Sequence, residues 1–275
     1  MASSQINKGS HHTRSISLPS TSHPITAQFN EQLSRLRSSH AASTSSSSSL
    51  SQRLTGLTEL YVVVDEMLQL PSNQQSVSQI QAVLDGSLSL IDACSTSRDV
   101  LQQSKEQLQN IQSVLRRRCG GELNITNEAA EYLKARKTVK KVVKKCLKNI
   151  KSDEGDASEF FMNDVEEITL DIFRSLLSYI GGTKSHSKKS WSLITKFIHN
   201  NSEKEASVAQ TSVFDAVDAT LGSLDYQKKT SVDTQNLRNQ MANLETQIEE
   251  LDQVLECLFR HLVKTRSTLL NILSN

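Results

Sequence analysis

The sequence predicts an all-α protein, an elongated multi-helix bundle, and three observations carry that reading. The first is a heptad stripe over the last forty-odd residues. Met241, Ile248, Leu255, Leu262 and Leu269 occupy one core position, and Leu237, Leu244, Leu251, Leu258 and Ile272 the other, with Thr265 the single lapse. Alternating steps of three and four keep such a stripe on one side of a helix, so 231–274 reads as a helix about 60 Å long. The second is the near absence of helix breakers: three prolines, Pro19, Pro24 and Pro71, and none beyond. The third is low aromatic content, 4 %, with no period-two alternation that would mark a strand.

The chain opens on a tail. Residues 1–52 hold 17 serines and four of the seven histidines, with no acid before Glu31, which is too little apolar surface to offset the entropy of ordering it. Residues 1–49 are therefore read as a disordered serine-rich tail, and 50–275 as one helical bundle domain. Within the tail Phe29, Leu33 and Leu36 have helical spacing, a short docking helix at 26–37, and Ser43 to Ser49 reads as a flexible linker.

In the body, Leu50, Leu54, Leu57, Tyr61, Val64 and Leu68 mark a first long helix that Pro71 ends. Ser72 and Gln75 have capping-box spacing for the next helix. It carries Val77, Ile80, Leu84, Leu88 and Ile91, and continues or kinks through Leu101, Leu108, Ile111 and Leu115 until Gly120–Gly121. Further helices are expected at about 127–151, at 157–180 ending on Gly181–Gly182, and at 191–198. Another opens on a Ser202/Glu205 capping box and carries Val213, Phe214, Val217, Leu221 and Leu224. In the terminal helix the apolar face widens beyond about residue 252 with Val254 and Phe259. That half is expected inside the chain's own bundle, leaving only the first half, beside Glu245, Gln247 and Asp252, free to pair elsewhere. A monomer is expected.

Charge is informative only locally, because the formal net charge is +1. Lys134, Arg136, Lys137, Lys140, Lys141, Lys144, Lys145, Lys148 and Lys151 give nine cations without an acid. Opposite them Tyr132, Ala135, Val139, Val142, Val143, Cys146 and Ile150 form an apolar face. Such a basic amphipathic helix suits an anionic membrane surface, calmodulin or nucleic acid, with nucleic acid the weakest fit. The simpler reading is intramolecular: Asp153, Glu154, Asp156, Glu159, Asp164, Glu166, Glu167 and Asp171 supply eight acids on the next helix, facing it as an antiparallel neighbour. The surface left to a partner is Lys137, Lys140, Lys141, Lys144, Lys145 and Lys148.

In the tail, Arg14 three residues before Ser17, with Ser15 between them and Pro19 two residues after, matches a phosphoserine motif read by 14-3-3-type adaptors, where arginines hold a phosphate of about −2 charge. The same acid-free opening also suits a plastid transit peptide, an alternative to a cytoplasmic location. Cys94, Cys119, Cys146 and Cys257 lack zinc-ligand spacing and read as reduced, mostly buried thiols. His186, His199 and His261 are isolated, and no glycine-rich loop follows a strand. No catalytic, cofactor or metal residue is expected.

The two ends of the chain carry a resemblance. Arg14-Ser15-Ile16-Ser17-Leu18-Pro19-Ser20 with Ser22-His23-Pro24 is similar to the opening of a plant-specific family grouped as BYPASS-like. Leu84-Asp85-Gly86-Ser87-Leu88 and Leu115-Arg116-Arg117-Arg118 follow in order, and Glu256-Cys257-Leu258-Phe259-Arg260 to Leu269-Leu270-Asn271-Ile272-Leu273-Ser274 closes it. The resemblance spans about residues 13–275. It implies a helical protein without known enzymatic activity or cofactor, linked to root and shoot development. A non-enzymatic adaptor or regulator is the function expected; the alternative is a peripheral membrane protein using 134–151.

Overall fold

A computed structural model describes residues 23–41, 46–73, 77–117, 125–150, 160–182, 212–223 and 234–274. Among these residues there are seven α-helices and no strand: α1 Pro24–Ala41, α2 Ser47–Leu68, α3 Val77–Arg117, α4 Thr126–Asn149, α5 Phe161–Gly181, α6 Val213–Gly222 and α7 Thr234–Ser274. A single 3₁₀ turn, Pro71–Asn73, follows α2. The all-α bundle with a long heptad-patterned terminal helix stands. The helix expected at 191–198 and both capping boxes fall outside the described residues or side chains.

α7 is the axis. It lies against both α2 and α3, and α3 runs antiparallel to it along most of its length. The register is fixed by side chains on both helices. Arg266 donates to the Leu84 carbonyl and, at 2.8 Å, to Ser87 Oγ. Cys94 Sγ meets the Leu255 carbonyl at 3.5 Å. Arg98 pairs with Asp252 at 3.0 Å, and Lys105 with Glu249 at 2.9 Å. Gln109 and Gln112 both donate to Glu245, at 2.8 and 3.0 Å, and Arg238 closes on the Leu115 carbonyl at 2.9 Å. α3 is one continuous helix of 41 residues, Val77–Arg117.

This arrangement corrects the expectation that the first half of α7 is free. Leu237, Met241, Leu244, Ile248 and Leu251 are each at most 1 % exposed, as deeply buried as the second half. Glu245 and Asp252 look like coiled-coil flanking charges in the sequence; they are spent on α3, and Gln247 accepts from Tyr179 Oη at 2.5 Å. A seam this narrow suffices because α3 supplies its own polar rail beside it.

The lapse in the heptad also has a cause. Thr265 is buried and its Oγ1 donates at 2.7 Å to Oδ1 of Asp65, itself only 6 % exposed on α2. Lys264 Nζ stands 3.0 Å from the other carboxylate oxygen. A hydroxyl at a core position is what lets α2 keep a buried acid there. Thr265→Val, which perfects the apolar stripe, is therefore expected to lower stability by about 1–3 kcal/mol in a urea titration, because it removes a hydrogen bond from a buried carboxylate.

The remaining helices wrap this trio. α5 runs antiparallel to α2, with Tyr61 Oη 3.1 Å from Thr169 Oγ1 and Arg53 Nη1 3.3 Å from Ser175 Oγ. Gly86 of α3 admits α5 closely, since a Cβ there would lie 2.4 Å from a Glu166 carboxylate oxygen. Gly182 ends α5 in the left-handed region, φ 65°, a conformation glycine adopts without a Cβ penalty.

α2 starts earlier than its apolar pattern indicates. Ser46 Oγ caps it by accepting from the Ser49 N–H at 3.2 Å, so Ser47 to Ser49 are helical and not linker. The docking segment is a full helix, Pro24–Ala41, with proline at its first position, where the missing N–H costs nothing. Ile25, Phe29, Leu33 and Leu36 bury against α2 and α5. Phe29 meets Phe161 edge-on at 5.5 Å, and Leu36 seats on Gly56, where a Cβ would stand 3.1 Å from its Cδ2.

Burial pushes the Cys94 thiol up to about 12, and it raises the hydroxyls of Tyr61 and Tyr132 as well. In the folded chain these groups keep their protons where the unfolded chain releases them. Stability is thus fully present below pH ~8.5 and is expected to fall as pH passes through the unfolded values near 9 to 10. Urea midpoints at pH 8 and pH 10.5 check this; a flat profile contradicts it.

Candidate functional site

α4 presents two faces with opposite fates. Ala129, Tyr132, Val139 and Val143 turn inward. Outward, Lys134, Lys137, Lys141, Lys144, Lys145 and Lys148 are all exposed. At roughly 100° per residue these six lie within an arc of about 100°, and from Lys134 to Lys148 the stripe runs about 21 Å. No acid among the described residues pairs with any of them. Val142, expected on the apolar face, is 38 % exposed beside the stripe instead.

Two of the nine cations are not part of this surface. Arg136 is 2 % exposed. Its Nε lies 3.0 Å from Asp218, its Nη2 donates to the Ile180 carbonyl at 2.9 Å, and its guanidinium sits 4.7 Å over the Phe214 ring. Lys140 Nζ also turns to Asp218, at 2.8 Å, with Asp215 at 4.0 Å. The Tyr132 hydroxyl is buried in the same place, and its pKa is raised by burial and then by Asp218. Asp215 closes the node from the other side: a Cβ on Gly182 would lie 2.1 Å from its Oδ1. Ser212 caps α6 by accepting from the Asp215 N–H at 3.2 Å. This node locks α6 and the end of α5 to the back of α4.

The reading that α5 neutralises α4 is therefore corrected within the described residues. α4 and α5 do pack, and Arg174 Nη2 of α5 reaches the Ile150 carbonyl at the end of α4 at 3.4 Å. Three acids of α5 face other partners: Asp164 and Glu167 face Arg37 of α1, and Asp171 pairs with Arg174 of its own helix. The acids that do meet α4 are Asp215 and Asp218, which the sequence reading left unassigned. The available signal was their i, i+3 spacing on an otherwise apolar helix, Val213 to Leu221. Asp153, Glu154, Asp156, Glu159 and Lys151 lie outside the described residues, as do Arg14, Ser15, Ser17 and Pro19.

Two clefts open on the described surface. One, of about 740 Å³, is lined by Gln109, Gln112, Ser113, Arg116, Arg117 and Glu245. The other, of about 570 Å³, lies between α1 and α2 around Arg35, Ser39, Gln52 and Arg53. Among the described residues no group of three His, Cys, Asp or Glu could hold a metal ion, and no helix is long and apolar enough to cross a membrane. His261 is half-buried beside the α7 seam, as its flanking heptad position predicts.

A family model described as Protein BPS1 matches residues 53–272. The chain belongs to the BPS1 family. That agrees with the BYPASS-like resemblance of its motifs. The matched span takes in α2 from Arg53, the whole of α3 to α6 and α7 as far as Ile272. The lysine face and the node behind it are thus part of the family body, whereas α1 precedes it. No curated protein and no solved structure matches the chain.

Proposed function

We propose that this BPS1-family chain is a non-enzymatic interaction protein, a rigid helical bundle that offers the lysine face of α4 to an acidic surface on a protein partner. The observation that carries the reading is the six-lysine stripe without a pairing acid among the described residues, held on a helix whose inner face is locked by Arg136 and Asp218. A rigid scaffold keeps the charges in register, so the face behaves as a fixed electrostatic template. The tail motif at Arg14, Ser15, Ser17 and Pro19 adds a phosphoserine-adaptor site to the same protein. The family link to root and shoot development supplies the setting in which an adaptor of this kind works, as a cytoplasmic monomer.

The test uses immobilised polyglutamate and the Lys141/Lys144/Lys145/Lys148→Ala variant. Lys140 is left intact because it belongs to the node. The wild-type protein is expected to need markedly more salt for elution than the variant; identical elution removes the proposal. A second reading, attachment to an anionic membrane, is favoured by Val142 exposed beside the stripe. At about 1 kcal/mol per lysine near an acidic bilayer, the same variant then loses about 10³-fold in binding to phosphatidylserine vesicles. Flotation of the wild type without retention on polyglutamate selects the membrane.

A further inference from the structure

The pattern Arg-x-x-Ser occurs twice in the chain, once in the tail at Arg14–Ser17 and once at Arg35–Ser38. The second copy lies on α1, whose buried face is Ile25, Phe29, Leu33 and Leu36. At roughly 100° per residue Ser38 is nearly opposite that face. Ser38, Arg35 and Arg37 are all exposed. Ser38 also sits in the last turn of α1, the part of a docked helix that frays at least cost and can enter a kinase cleft. Ser39 does not share the pattern, having Leu36 three residues before it, and its hydroxyl is half-buried, donating to the Leu36 carbonyl at 2.8 Å.

We propose that Ser38 is a phosphorylation site for a basophilic serine kinase, and that the phosphate loosens α1 from the groove between α2 and α5. In the transfer Ser38 Oγ attacks the γ-phosphorus of ATP, the bond from that phosphorus to the bridging oxygen breaks, ADP leaves, and the hydroxyl proton passes to the kinase's base. Three consequences of the new group act in one direction. Ser38 Oγ donates to the Arg35 carbonyl at 2.9 Å, and a phosphoester oxygen has no proton to donate. The added charge of about −2 falls in the C-terminal turn, where the unpaired carbonyls already make the helix end negative. Arg37, the next residue back, is the ion-pair anchor of α1 on α5, 2.5 Å from Asp164 and 3.7 Å from Glu167. An adjacent phosphate competes for that guanidinium. What α1 uncovers when it lifts is the apolar seat formed by Gly56 and Phe161.

The experiment uses the full chain carrying Ser15→Ala and Ser17→Ala, so that the tail motif is silent. It is treated with the catalytic subunit of a basophilic kinase, ATP and Mg²⁺, and read by peptide mapping and hydrogen exchange. Phosphate is expected on Ser38, and not after Arg35→Ala. Exchange across residues 24–41 is expected to quicken about tenfold relative to the same protein with Ser38→Ala, while α7 is unchanged. Ser38 lies on the exposed side of its helix, so its alanine variant keeps the fold. An unmodified Ser38, or a modified Ser38 with unchanged or slower exchange in α1, overturns the proposal. The outcome does not depend on the lysine face of α4.

Discussion

Arg136→Met is expected to lower the stability of the bundle by about 3–5 kcal/mol, measured as a shift in the urea midpoint. The substitution keeps much of the side-chain volume, so the loss comes from charge and hydrogen bonding. Asp218 loses its buried cation and keeps the half-exposed Lys140, the Ile180 carbonyl loses its donor, and Phe214 loses the cation above its ring. α6 should detach first, because the node is its main polar tie to α4. Asp218→Asn in the same background is expected to recover part of the loss, since the orphaned carboxylate is then neutral. Losses that add fully in the double variant contradict this account.

Ile248→Lys is expected to unfold the chain or cost at least ~4 kcal/mol, read by circular dichroism and denaturant titration. The side chain is 1 % exposed on the seam of α7. The substitution removes a buried branched aliphatic and places an ammonium in the apolar seam among Leu244, Leu251 and Leu255. Were α7 a dimer seam, the same variant would give a well-folded monomer from a wild-type dimer. A folded Ile248→Lys protein of near-native stability would thus overturn the burial of the first half of α7.

The helix inventory was legible because its signals are local. Apolar residues every three or four positions, Pro71, and the Gly181–Gly182 stop each act over one or two turns, and α2 to α5 and α7 follow them to within a few residues. The lapses came where a distant partner decides. Thr265 reads as an imperfection until Asp65, far off in the chain, is placed beside it. Arg136 falls by helical spacing on the inner face with Tyr132, Val139 and Val143, but what lets a charge stay there is Asp218, on a helix it does not adjoin in the chain. Glu245 and Asp252 read as solvent-side charges because the polar rail of α3 cannot be registered against α7 from spacing alone. Lys137, Lys141, Lys144, Lys145 and Lys148 are exposed, whereas Lys140 turns to Asp218, a partner that spacing within one helix cannot reveal.

The pairing of α7 with α2 and α3 has a consequence for how the protein is made. Asp65 and Thr265 are separated by 200 positions, and Gln112 and Glu245 by 133. At a translation rate of about 5–20 residues per second, roughly 10–40 s pass between the synthesis of Asp65 and that of its hydroxyl partner. Throughout that interval the faces of α2 and α3 destined for α7 are open to solvent or to a chaperone. Among the described residues the bundle is helical, which favours rapid folding, yet its central trio closes through pairs far apart in the chain. Its rate-limiting step is thus expected to be the arrival and zippering of the terminal helix against α2 and α3.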